Sequence, residues 1–322
     1  MTDPAIALSN IYKRYGSFEA VNDLSFEVRP GEIYGFLGPN GAGKTTTLRM
    51  LLDIIQPSEG RLEILGSPSA LPVRGRIGYL PEERGLYRKM KAIDSIAYFA
   101  QLRGLDRKTA YARANTLLND NGLGDFKNAK NTALSKGMAQ KVQLLSTITH
   151  EPELLILDEP FSGLDPINQQ ALEDLILDQK KRGRTIIFST HVMQHAERLC
   201  DRFLILAHGR KVFEGTLEEA QKDFSGRVHL RSDIALEVLC SLPEVESADI
   251  VGSLNEVAEH SFEVSLAEGF DPQRLLAALV QRGAKISRFE VAGATLHDIF
   301  VELASDDKQE PGVEQKFVEA AE

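Results

Sequence analysis

Gly38-Pro-Asn-Gly-Ala-Gly-Lys-Thr-Thr46 is the stretch on which the fold turns. It has the spacing GxxxxGK[ST], and its setting is the one that gives that spacing meaning. An apolar run, Ile33-Tyr-Gly-Phe-Leu37, reads as a buried strand before it. A helical pattern from about Gly43 to Ile54 follows and stops at Gln56-Pro57. Glycines there free backbone N–H groups to face an anion, and the helix N-terminus adds the positive end of its dipole. The loop therefore predicts a bound nucleoside triphosphate, ATP, with magnesium. Gly38, Pro39, Asn40, Gly41, Ala42 and Gly43 would wrap the phosphates. Lys44 would reach the β- and γ-phosphates, the Thr45 hydroxyl would ligate magnesium, and Thr46 would bond a phosphate oxygen.

Strand and helix signals alternate outward from this loop. Ile6–Leu8 and Leu24–Val28 alternate apolar and polar positions as strands, with a turn at Arg29-Pro-Gly31, and another strand spans Arg61–Leu65. Leu154–Leu157, Thr185–Phe188 and Phe203–Leu206 are continuous apolar runs with helical segments between them. Such runs belong to a mostly parallel sheet covered on both faces, an α/β fold of the P-loop NTPase kind. Within 86–150 the period changes: Ile93, Ile96, Ala97, Ala100 and Leu105 recur at helical spacing, predicting a helical insertion.

Leu154-Leu-Ile-Leu-Asp158-Glu159-Pro160 ends a strand with two carboxylates. Beside a phosphate loop, Asp158 suits magnesium and Glu159 suits the orientation or deprotonation of an attacking water.

Taken together, residues 5–215 resemble the ATPase subunit of an ATP-binding cassette (ABC) transporter. Leu134-Ser-Lys-Gly-Met138 resembles that family's signature motif, and Ser162-Gly-Leu-Asp165 its D-loop. His191 resembles the switch histidine, and Tyr15 the aromatic that stacks on adenine, with Val21 as apolar support. The resemblance implies that Glu159, His191 and Lys44 serve catalysis. It implies a head-to-tail dimer with a second copy of the chain or a related subunit. Ser135, Lys136, Gly137 and Asp165 of one copy would then face the nucleotide of the other. Glu82 stands where the family usually has a glutamine, as a further magnesium ligand that adds negative charge beside the triphosphate; Lys136 and Met138 replace the usual Gly and Gln. Lys136 either offsets the charge of Glu82 or is simply solvated. Pro81-Glu-Glu-Arg-Gly-Leu-Tyr87 and the closing Thr295–Leu303 are similar to the branch serving ABC-2-type exporters, akin to sodium-efflux ATPases. That implies a separate integral membrane permease. The alternative is a soluble ABC ATPase acting on ribosomes or nucleic acid; such proteins usually carry two cassettes or a long insertion, and this chain has one cassette and no CxxC.

The rest of the chain bounds these expectations. Its net charge of -10 is uneven: residues 216–322 hold nine Lys/Arg against 22 Asp/Glu. That surface repels phosphate backbones, so no nucleic-acid binding is expected of it. From 217 to 305 the order strand, helix, strand, strand, helix, strand predicts a small ferredoxin-like α+β accessory domain that could regulate, dimerise or bind a small ligand. Residues 306–322 read as an acidic, disordered tail. The ATPase domain would span 1–216. Cys200 and Cys240 read as two reduced core thiols. No signal peptide and no run long enough to span a bilayer is visible, so the expected location is cytoplasmic, peripheral on the inner membrane face through the permease.

Overall fold

The structure is a computed structural model describing residues 3–83, 85–222, 227–253, 260–267, 269–292 and 295–306. The chain divides into two compact units, Met1–Thr216 and Leu217–Glu322.

The first unit opens with β1 (Ile6–Tyr15), β2 (Phe18–Val28), β3 (Ile33–Leu37), α1 (Lys44–Leu51) and β4 (Glu59–Ile64). Next come β5 (Ile77–Leu80), α2 (Ala92–Leu102), α3 (Arg107–Asp120), α4 (Lys136–Ile148) and β6 (Leu154–Asp158). It closes with α5 (Pro166–Lys181), β7 (Thr185–Thr190), α6 (Met193–Leu199), β8 (Arg202–Ala207) and β9 (Arg210–Gly215). β2-β1-β4 form a small antiparallel sheet, and the main sheet has the order β5-β6-β7-β3-β8-β9. All its pairs are parallel except β8 with β9.

The continuous apolar runs have a direct cause: both faces of the main sheet are covered. Leu155, Leu157, Ile186 and Phe188 point into a core shared with the helical insertion. Leu154, Ile156, Ile187, Tyr34 and Phe36 point into a second core closed by Ile6, Leu24 and Phe26 of the small sheet. Successive strand residues face opposite ways, so a strand between two cores must be apolar throughout. Each fully buried Leu or Ile contributes about 1.5–3 kcal/mol. Asp106, Ser135 and Asp165 start α3, α4 and α5 by accepting from the amides of Thr109, Met138 and Asn168, which satisfies one orphan donor at each helix end.

Two expectations are corrected, and one strand is added. The strands at Ile6–Leu8 and Leu24–Val28 run on to Ile6–Tyr15 and Phe18–Val28, because a hairpin supplies the backbone hydrogen-bond partners that these ends lack in isolation. β9, unforeseen, adds an antiparallel edge. Of the two cysteines, Cys200 lies 2.6 Å from where a Cβ on Gly35 would stand, and burial pushes its thiol well up; Cys240, at the end of a short helix, is exposed.

The second unit contains α7 (Leu217–Lys222), β10 (Arg227–Ser232), α8 (Leu236–Cys240), β11 (Val245–Ser253), β12 (His260–Leu266), α9 (Pro272–Gln281), β13 (Ile286–Ala292) and α10 (Leu296–Asp306). Its antiparallel sheet has the order β11-β12-β10-β13. The first and second strands of the motif thus flank the third, as in a ferredoxin-like fold. Val228, Leu230, Phe262, Val264 and Leu266 face Leu239, Leu275 and Leu279 of α8 and α9. Apart from Asp306, which ends α10, the expected tail lies outside the described residues.

Candidate functional site

The order β5-β6-β7-β3 sets four loops side by side at the carboxyl edge of the main sheet, the edge where open α/β sheets bind ligands. After β5 comes Glu82, at the end of β6 come Asp158 and Glu159, after β7 comes His191, and after β3 comes the loop 38–46. Four segments far apart in sequence meet because their strands are neighbours.

The loop is held by close backbone approach. Gly43 has φ of +100°, and a Cβ there would lie 2.6 Å from the Ala20 carbonyl oxygen. Only glycine meets both conditions without strain. Pro39, Asn40 and Gly41 are exposed, Thr45 and Thr46 half-buried, and Ala42 buried. Lys44 is buried, and its Nζ donates to the carbonyls of Gly38 at 2.7 Å and Pro39 at 3.0 Å. Its ammonium also lies 3.7 Å from Glu159 Oε1. Burial lowers the Lys44 pKa, against the opposing pull of Glu159, Asp158 and Glu82. A poorly solvated cation attracts an anion more strongly than an exposed one.

Asp158 and Glu159 are buried. Thr45 Oγ1 donates to Asp158 Oδ1 at 3.3 Å. Ser189 on β7 donates to the same oxygen at 2.6 Å and accepts the Glu159 amide at 3.0 Å. Glu159 has φ of +45°, a left-handed turn that costs a residue with a Cβ about 1–2 kcal/mol. His191 Nδ1 lies 3.0 Å from both Glu159 carboxylate oxygens. Glu159 therefore sits between Lys44 and His191. Ser189 was not legible as a site residue; its one signal was a serine directly after the apolar run Ile186-Ile-Phe188. His195 is structural: its Nδ1 lies 2.9 Å from Glu173 Oε1, and its ring stacks on Phe161.

Glu82 is exposed, near enough for its charge to raise the Lys44 pKa. Thr45 Oγ1 and Asp158 Oδ1 converge, and such hard oxygen donors suit Mg²⁺. Among the described residues no group of three or more His, Cys, Asp or Glu is placed to hold a metal ion. Beyond Thr45, Asp158 and Glu82, magnesium here would draw its ligands from phosphates and water, its usual habit.

The signature and D-loop segments touch within the chain. Ser135 caps α4, its Oγ accepting from the Met138 amide at 3.2 Å. A Cβ on Gly137 would lie 2.2 Å from Asn168 Cγ, and one on Gly163 would lie 1.9 Å from Lys136 Nζ. The exposed Lys136 thus reaches over Gly163, and among the described residues it makes no ion pair with Glu82. Asp165 caps α5, accepting from the Asn168 amide at 3.0 Å and its Nδ2 at 2.6 Å. Tyr15 is half exposed with the Lys13 ammonium 4.9 Å from its ring centre. Val21, expected as apolar support behind Tyr15, is fully buried. Its Cγ2 lies 3.3 Å from the Cβ position of Gly43, so it props the loop from below.

Comparison with known proteins places the chain in a family. Residues 21–162 match the family described as "ABC transporter", and residues 215–304 match "ATP-binding protein DrrA1-3-like, C-terminal domain". The chain is 39% identical over 298 residues to the uncharacterized ABC transporter ATP-binding protein YhaQ of Bacillus subtilis (strain 168), covering 92% of this chain and 97% of the relative. It is 34% identical over 316 residues to Nod factor export ATP-binding protein I of Burkholderia orbicola (strain AU 1054), covering 96% and 100%. A solved ATP-binding subunit of an ABC transporter superposes with a TM-score of 0.63 at 32% identity, covering 68% of this chain and 93% of that one.

Proposed function

The chain belongs to the ABC transporter ATP-binding family, and on that premise we propose how it uses ATP and what it drives. It is the ATP-hydrolysing subunit of a transporter that has a membrane component. The observation carrying the proposed chemistry is the meeting of Thr45 with Asp158 and of Lys44 and His191 with Glu159 at the ends of β3, β6 and β7. A triphosphate in the loop would draw Lys44 from its present carbonyl partners to the β- and γ-phosphates. Bound Mg²⁺, held by Thr45, Asp158 and Glu82, would neutralise charge on the phosphates. Glu159, its amide fixed by Ser189, orients the attacking water and takes its proton. His191 holds the Glu159 carboxylate in place and senses the γ-phosphate. Positioning and charge stabilisation supply most of the acceleration in such reactions.

The finer assembly is also our proposal. Ser135, Lys136, Gly137 and Asp165 would face the nucleotide of a second copy in a head-to-tail dimer, with Tyr15 against adenine. The relative named for Nod factor export supports export as the direction of transport. Among the described residues no helix is long and apolar enough to cross a membrane, so the path through the bilayer belongs to a partner, an ABC-2-type permease. Tyr87, Tyr98 and Phe99 form an aromatic cluster with Tyr87–Tyr98 and Tyr98–Phe99 centroids 5.6 Å apart. Tyr87 and Tyr98 are exposed beside the Glu82 loop, and this patch suits the permease contact. The second unit is an accessory, regulatory domain. Glu159→Gln tests the chemistry: turnover should fall by about 10²–10⁴ with ATP binding intact. Wild-type turnover in that variant would remove Glu159 as the base.

A further inference from the structure

α4 turns a stripe of polar side chains inward. Gln140, Gln143 and Thr147 are spaced three and four residues apart and so share a face, and all three are buried. The two glutamines donate to backbone carbonyls just past the ends of core strands. Gln140 Nε2 reaches Pro160 O at 2.9 Å, just past Glu159. Gln143 Nε2 reaches Pro81 O at 3.4 Å and Glu83 O at 3.2 Å, one on each side of Glu82. Thr147 Oγ1 lies 3.0 Å from Gln143 O within the helix and 3.3 Å from Tyr79 O, its single proton shared between the two carbonyls. Below this point β5 presses against the helix: a Cβ on Gly78 would lie 2.7 Å from the Thr147 carbonyl oxygen.

Gln143 is the informative member. Its Oε1 is buried without a hydrogen-bond partner, a cost that a leucine in the same volume would not carry. The amide therefore does something that packing alone does not ask for. We propose that Gln143 is a positioning residue, clamping the Glu82 loop to the helix capped by Ser135 so that loop and helix move as one body. Eight residues of helix, about 12 Å, separate that cap from the clamp. A shift of the helical insertion thereby resets Glu82 against Lys44, while Gln140 ties the same helix to the segment following Glu159. The functional half of the proposal rests on the role of Glu82 at the triphosphate.

The test is a double-mutant cycle in the full chain, pairing Gln143→Leu with Glu82→Gln. Gln143→Leu should lower kcat about tenfold, leave the KM for ATP within about twofold, and leave the melting temperature unchanged. In the Glu82→Gln background it should cost less than about twofold more. Equal fold losses in both backgrounds would overturn the link to Glu82. Amide hydrogen exchange reads the clamp itself: the Glu82 and Glu83 amides should exchange faster in Gln143→Leu, with α1 unchanged. Unchanged exchange at those two amides would overturn the clamp. Wild-type turnover in Glu82→Gln alone would remove the role of Glu82, and with it the functional half, leaving the clamp to the exchange result. Gln143→Met, unbranched and without a donor, replaces leucine if that variant does not fold.

Discussion

Replacing Ser189 with alanine removes two hydrogen bonds from the heart of the site. The hydroxyl donates to Asp158 at 2.6 Å and accepts the Glu159 amide at 3.0 Å. Ser189 is fully buried, with Asp158 and Glu159 nearly so. A hydrogen bond to a charged group contributes about 1.5–3 kcal/mol, and a buried amide left without an acceptor costs about 1–3 kcal/mol. A water entering the vacated space recovers part of both, leaving a loss of about 2–4 kcal/mol. Urea unfolding of the full chain, followed by circular dichroism, should show this as a drop of about 1 M in the midpoint of the first unit, at a slope near 3 kcal/mol/M. Turnover should fall at least about tenfold, because the left-handed Glu159 loses the bond that fixes its backbone, and about 1.4 kcal/mol of misplacement suffices for that. In an Asp158→Asn background the further cost of Ser189→Ala should shrink, since the shared charge is gone. A midpoint within about 0.2 M of wild type, with wild-type turnover, would refute the assignment of Ser189 as the anchor of the two carboxylates.

Gly137→Ala sets a helix-propensity gain of about 1 kcal/mol against an overpacking cost of about 1–3 kcal/mol. Asn168, whose Cγ would lie 2.2 Å from the new Cβ, is pinned by Asp165, so net destabilisation is expected. In an Asn168→Ala background the same change should become stabilising, as thermal unfolding of the single and double variants will show. Burial lowers the pKa of His150 to about 4, against the pull of the Ile77 carbonyl. The unfolded chain therefore binds the extra proton first, so stability is fully present above about pH 6.5 and is lost as pH falls towards 4. Allowing for partial solvent screening, the loss is about 1–2 kcal/mol. His150→Gln should flatten that slope in denaturant titrations between pH 6.5 and 4.5, and an unchanged slope would place the effect elsewhere.

Much of the molecule was legible from short-range pattern. The glycines and Lys44 of the loop, the acids closing Leu154–Leu157 and the strand-helix order of the second unit are local facts, set by backbone sterics and side-chain alternation. What escaped was non-local. The extensions of β1 and β2 and all of β9 mix polar and apolar residues without a clean alternation and become strands because a partner strand pairs with their backbone. Cys240 reads like Cys200 by composition, yet one faces solvent and the other lies against Gly35.

The sequence by itself determined that a phosphate-loop motif stands between a strand and a helix, and which family such motifs belong to, because those residues are contiguous and their spacing carries the signal. Only the tertiary structure decided which distant side chains stand against those residues. Ser189 meets Asp158 through strand register, Asn168 meets Gly137 through the approach of two helix ends, and Gln143 meets the carbonyls around Glu82 through the packing of α4 on β5. Contacts of that kind arise from the order of strands in a sheet, and no local run of residues encodes that order.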